Sequence, residues 1–80
     1  MDSKTVHTRL RQAGVADDFY RIEGVHEPQA PATELYTLRY RADHWEVIFT
    51  ERGQESILAR YTAETQAAQC LYQKLTDPLS

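Results

Sequence analysis

Cysteine occurs once, at Cys70, so no disulfide can form within the chain. Small domains of the secretory route usually need several such staples. Their absence points to a reducing cytoplasm. No apolar run approaches the roughly 20 residues of a membrane-spanning helix. The opening stretch, Met1 to Leu10, is polar and lacks the apolar centre of a secretory signal. The chain therefore reads as cytoplasmic, without a membrane partner, and starting at its own methionine. Glycine is equally scarce. Gly14, Gly24 and Gly53 lie too far apart to form a loop that cradles phosphate. A basic excess is also missing: nine Lys and Arg stand against twelve Asp and Glu, for a net charge of −3. Nucleic-acid binders usually carry the opposite balance, because they must neutralise phosphates. A mild acidic excess serves solubility and also suits a basic partner, since opposite potentials steer association.

What is present suffices for one domain, 1–80. The hydrophobic fraction of 41% and charged fraction of 26% are ordinary for a folded chain and argue against disorder. A chain this short buries only about 60% of the surface that its unfolded form exposes. Nearly all of its apolar residues must go to one core.

The order of elements follows from periodicity and punctuation. Ser3 can cap a helix to about Ala13, with Val6, Leu10 and Ala13 on one stripe and Gly14 at its end. Phe19 to Glu23 reads as a short strand with Tyr20 and Ile22 on one face. Val25 to Thr33, holding Pro28 and Pro31, is a loop, long for a compact domain. Leu35 to Arg41 alternates, with Tyr36, Leu38 and Tyr40 on one face. Ala42-Asp43 makes a tight turn, and Trp45, Val47 and Phe49 alternate in the next strand. The turn around Gly53 leads to a strand over Glu55 to Tyr61, with Ile57, Ala59 and Tyr61 inward. Thr62 caps a last helix striped by Ala63, Ala67, Cys70, Leu71 and Leu75, and Pro78 stops it. The fold class expected is α+β. An antiparallel three- to four-stranded sheet carries the N-terminal and C-terminal helices on one face, in the order α-β-β-β-β-α.

Residue types that do chemistry are present without the company they need. His7, His26 and His44 have no second ligand at a metal spacing, and zinc wants three or four. His44 and Glu46 share a strand face, but one pair does not make a site. Cys70 sits on an apolar helical stripe, where it acts as a small hydrophobe. Asp17 and Asp18 read as solvated turn acids. No catalytic residue, cofactor or metal is expected, and the chain does not read as an enzyme. Most aromatics alternate onto the core face; alternation does not place Tyr20 and Tyr72, and an exposed aromatic among charges would make a good binding anchor. The outer sheet face should carry Thr37, Arg39, Arg41, Glu46, Ile48, Thr50, Leu58 and Arg60. Ile48 and Leu58 are apolar there, as scattered surface residues or as the centre of an interface with a charged rim.

The second half resembles the small immunity proteins of bacterial contact-dependent growth inhibition and polymorphic toxin systems. The residues that carry this are Trp45-Glu46-Val47-Ile48-Phe49, Glu51-Arg52-Gly53, Tyr61-Thr62-Ala63-Glu64-Thr65-Gln66-Ala67, and Cys70-Leu71. The likeness covers roughly residues 19 to 76, with Tyr20-Arg21-Ile22-Glu23-Gly24 a loose fit. It implies a cognate toxin domain as partner, often a nuclease encoded next door, which the immunity protein blocks by binding. The shared motifs are scaffold, so the resemblance assigns no binding residue. Surface chemistry nominates Asp43, Glu46, Glu51 and Glu55 around the two strand turns, with Ile48 and Leu58 between them. Two other readings fit the same order of elements. One is a nucleic-acid module of double-stranded RNA-binding type, although its last helix would open Thr62-Ala63-Glu64-Thr65-Gln66 with no Lys or Arg before Lys74. The other is an accessory protein-interaction domain. A homodimer through the outer sheet face is compatible with each.

Overall fold

The computed structural model describes residues 1–77. Helix α1 covers Ser3–Gln12, strands β1 to β4 cover Tyr20–Ile22, Glu34–Arg41, His44–Glu51 and Gln54–Tyr61, and helix α2 covers Glu64–Thr76. A 3-10 turn, Asp17–Phe19, leads into β1. Pro78, the expected stop for α2, lies outside the described residues.

Helix α1 begins one residue earlier than its most obvious cap suggests. The Asp2 side chain accepts from the Thr5 backbone N–H at 2.7 Å, which satisfies one of the free donors of the first turn. Ser3 is released for another task. Its N–H and hydroxyl both donate to Glu64 Oε2, at 2.9 and 2.7 Å, tying the starts of the two helices together. Thr62 does not cap α2 either: Ala63 takes that position, without a side-chain bond.

The four strands lie in the order β1-β2-β3-β4. Strands β2, β3 and β4 form the antiparallel meander that alternation implies. Strand β1, however, pairs with β2 in parallel, Tyr20 beside Tyr36 and Ile22 beside Leu38, so the sheet is mixed rather than antiparallel. The cause is the proline loop. After β1 the chain turns at Gly24 (φ +80°), and Ile22 and His26 exchange backbone bonds at 2.8 Å. The Ala32 N–H then donates to the Asp18 carbonyl. The loop thus returns along β1, and β2 must start where β1 started.

Side chains at alternate positions divide between two faces. The face under the helices holds Tyr20, Ile22, Leu38 and Val47, packed against Val6 and Leu10 of α1 and Ala67, Ala68 and Leu71 of α2. The alanines let α2 approach the sheet closely. Each fully buried Leu, Ile or Val contributes on the order of 1.5–3 kcal/mol.

A β-bulge between Val47 and Ile48 leaves Ala59, Arg60 and Tyr61 facing as expected but reverses the facing of Ser56 and Ile57. Val47 still opposes Ala59, but Ile48 opposes Ile57, and Leu58 is the unmatched extra residue. Ile57 therefore faces outward beside Ile48, and Ser56 takes its place opposite Phe49.

Both hairpin turns place two residues at positive φ, which matches the right-handed twist of the strands. In the second turn these are Arg52 and Gly53. In the first they are Ala42 (φ 52°) and Asp43 (φ 66°), and alanine has no local bond to offset the steric cost. Ala42→Gly is expected to stabilise the fold by about 0.5–1 kcal/mol, the relief from the left-handed region less the entropy that glycine loses. Urea denaturation checks it, and a lower midpoint would refute it.

Candidate functional site

The residues nominated by surface chemistry do not all come together. The β2–β3 and β3–β4 turns lie at opposite ends of the sheet, so Asp43 is remote from Glu51 and Glu55. Asp43 is exposed and accepts a 3.4 Å bond from the Tyr40 hydroxyl. Glu46 and Ile48, expected on an accessible outer face, are buried at 6% and 0% exposure. No helix covers them. Glu46 accepts from Arg39 Nε at 2.9 Å and Arg60 Nε at 3.1 Å, and Arg39 Nη1 reaches on to Glu55 at 3.4 Å. Arg39 and Glu46 are cross-strand neighbours, whereas Glu55 lies beyond the row that holds Ile48. The Arg39 side chain therefore lies across that row and seals Ile48 from water. Its hydrogen bond, opposed by burial and aided by Arg60, holds the Glu46 carboxyl below its ordinary range. Leu58 and Ile57 remain open, at 43% and 45% exposure.

A different set converges at the β3–β4 end of the sheet, where the C-terminal turn of α2 also arrives. Glu34 and Glu51 are direct cross-strand partners, both exposed. No ion pair to either occurs among the described residues. One row inward, Tyr36 opposes Phe49, with ring centroids 4.9 Å apart. Tyr36 and Glu34 wall an open groove of about 630 Å³ that also takes in Val15, Phe19 and Leu75. Phe49 and Glu51 wall a smaller hollow of about 330 Å³ on the other side. The ring pair is the ridge between them. Phe19 is 46% exposed. Lys74 and Arg52 stand on these walls, outside ion-pair distance of either carboxylate. Aromatic rings flanked by uncompensated carboxylates can hold a cationic side chain by its charge and its apolar stem together.

A second concave region lies where β4 meets α2 and collects Arg41, His44, Arg60 and Gln66. Its guanidinium groups already hold carboxylates, although Arg60 does so through Nε alone. Arg41 makes two 2.8 Å bonds to Glu23, and Arg60 holds Glu46.

The histidines separate into one pair and one outlier. His7 and His26 stack edge to face at 4.7 Å, and both rings contact Tyr20. His26 Nε2 lies 2.8 Å from the Asp17 carbonyl, which can only accept, so that nitrogen carries the proton. The Tyr20 hydroxyl is fully buried, and among the described residues no partner meets it at full hydrogen-bond geometry, although the Asp17 side chain acts on it. Burial, and then the charge of Asp17, push its phenol above the ordinary range. His44 is distant and bonds the Ala42 carbonyl at 3.0 Å. Cys70 is half-buried and packs against the core. No group of three or more His, Cys, Asp or Glu is placed to hold a metal ion among the described residues. No helix there is long and apolar enough to cross a membrane.

The histidine pair yields a pH dependence with a definite sign. Burial, then repulsion from His26 and Arg11, hold His7 below the ordinary value of 6.5, while Asp17 opposes them. The unfolded chain then binds a proton before the folded one does. Stability is expected to fall as pH drops below 6.5 towards the lowered folded value, then to level off for this group. In thermal melts, His7→Gln should flatten this slope while leaving the fall below pH 4.5 that Glu46 causes. An unchanged slope would exclude His7 as its source.

Comparison with protein-family models, curated proteins and solved structures returned no match.

Proposed function

We propose that this chain is a non-catalytic binding protein. In this reading it is an immunity protein that neutralises a cognate bacterial toxin domain by occluding a basic surface on it. The observation that carries the reading is the pair Glu34 and Glu51. Like charges set directly opposite on neighbouring strands weaken a sheet. Here they face each other beside Tyr36 and Phe49, with no cation in ion-pair range among the described residues. A basic partner would supply that cation. The aromatic ridge would supply the apolar anchor that hot spots of protein interfaces need. A nuclease toxin fits because its substrate-binding surface must be positive, and an acidic plug would compete with phosphate there.

The sequence resemblance to immunity proteins supports the same reading, as does the acidic net charge of −3. Nucleic-acid binding has less to rest on. The arginines nearest the start of α2 are neutralised by Glu23 and Glu46. The direct test is co-expression with the gene encoded immediately upstream. A stable complex and rescue of the host from that neighbour's toxicity are expected. A neighbour that is harmless, or that fails to associate at micromolar concentration, would end this reading.

A further inference from the structure

We infer that the free edge of β4 pairs with β4 of a second copy of this chain, antiparallel about a two-fold axis between Ile57 and Leu58. Strand β4 is the last in the sheet, so one side of its backbone has no partner strand among the described residues. Such edges are usually blunted by charge, above all lysine, by proline, by bulges or by shortness, and of these β4 carries the bulge, Glu55 and Arg60. This one runs eight residues, Gln54–Tyr61, with no lysine and no proline, and exposes Ile57 and Leu58 at its centre.

The bulge decides the register. In a regular strand Glu55 and Arg60 would point to opposite faces, because an odd number of steps separates them. The extra residue at Leu58 puts both on the face away from the helices, Glu55 beside Thr50 and Arg60 beside Glu46. Directly opposed residues of an antiparallel pair must share a face. About the axis named, Glu55 meets Arg60 of the second copy, and Arg60 meets its Glu55. Ser56 meets Ala59 and Gln54 meets Tyr61, all four on the helix side. The unmatched residue that distorts the edge is therefore also what makes this charge pairing possible. Backbone bonds supply affinity, and the opposite charges fix the register. The product is a continuous eight-stranded sheet. Its two Glu34–Glu51 ends point in opposite directions and stay open, so the inference stands apart from the reading of those ends.

Sedimentation equilibrium at micromolar concentration is expected to give twice the 9.3 kDa of one chain. Leu58→Lys should weaken association by at least about tenfold while circular dichroism stays unchanged. Register is tested separately, in a Cys70→Ser background. A mixture of Ser56→Cys and Ala59→Cys chains should oxidise to a mixed covalent dimer, and neither chain alone should. A monomer throughout the concentration range would overturn the inference. So would a dimer whose mixed disulfide fails to form, and that measurement decides even where Leu58→Lys does not fold.

Discussion

Glu46→Ala is expected to destabilise the protein by about 2 kcal/mol, far more than a surface ion pair would suggest. The carboxylate accepts two charge-assisted bonds, and such bonds contribute roughly 1.5–3 kcal/mol each when their groups are desolvated. Removal of one partner from a fully enclosed pair costs about 3–5 kcal/mol. Here the face above is solvent, and the Arg60 side chain is 59% exposed and can rehydrate, so the lower figure applies. Arg39, at 21%, cannot do so without moving. If it swings away, Ile48 loses its cover and an apolar surface opens on the sheet. Glu46→Gln keeps the shape and one acceptor, and about half the loss is expected. Arg60→Lys should cost little. Urea denaturation gives all three, and a Glu46→Ala value within about 0.5 kcal/mol of the parent would show that the network does not hold the face together. For an 80-residue domain with a total of roughly 4–12 kcal/mol, a loss of 2 kcal/mol is a large share.

The parts of this network were visible in the sequence, but their connection was not. Alternation correctly puts Arg39, Glu46, Ile48 and Arg60 on one face and Leu38 and Val47 on the other. It says nothing of a long side chain lying across a row to bury an isoleucine that no helix covers. The bulge escaped for a related reason. Ile57, Leu58 and Ala59 are all apolar, so the run carries no mark of where its phase slips, and only the pairing with β3 reveals it. The parallel direction of β1 is a tertiary outcome of a loop without periodicity. The three residues of Tyr20–Ile22 could not announce it. The candidate site is the instructive case. A two-residue turn at Ala42-Asp43 fixes the hairpin register. Counting back along both strands from that turn sets Glu34 against Glu51 and Tyr36 against Phe49. That information was in the sequence. What hid it was the strand bounds: starting β2 at Leu35 and giving Glu51 to the turn leaves both carboxylates outside the ladder, whereas the strands run Glu34–Arg41 and His44–Glu51.

The acidic pair makes a demand that separates a binding site from ordinary surface. Suppose Glu34 and Glu51 are held opposite one another for a partner. Neutralising one of them should then improve folding and impair function together. Glu34→Gln is expected to raise stability by about 0.2–0.5 kcal/mol, because it removes a cross-strand repulsion and leaves no buried group unpaired. Glu51→Gln should do the same. The double variant should gain no more than either single one, since the repulsion is already gone after the first change. The gain should shrink in high salt, which screens exposed charges. Reversal is the stronger test of function. With Glu34→Lys and Glu51→Lys together, the site would repel the cation that it is proposed to receive. Affinity for the neighbouring gene's product should fall by about 100-fold or more, on the order of 2.7 kcal/mol, mostly through a slower and more salt-sensitive association rate. Phe49→Ala should instead speed dissociation, because it removes the apolar anchor and leaves the field intact. Surface plasmon resonance separates the two rates. If both charge reversals leave binding untouched while stability responds as stated, the pair is only a flaw of the sheet edge, and the partner docks elsewhere.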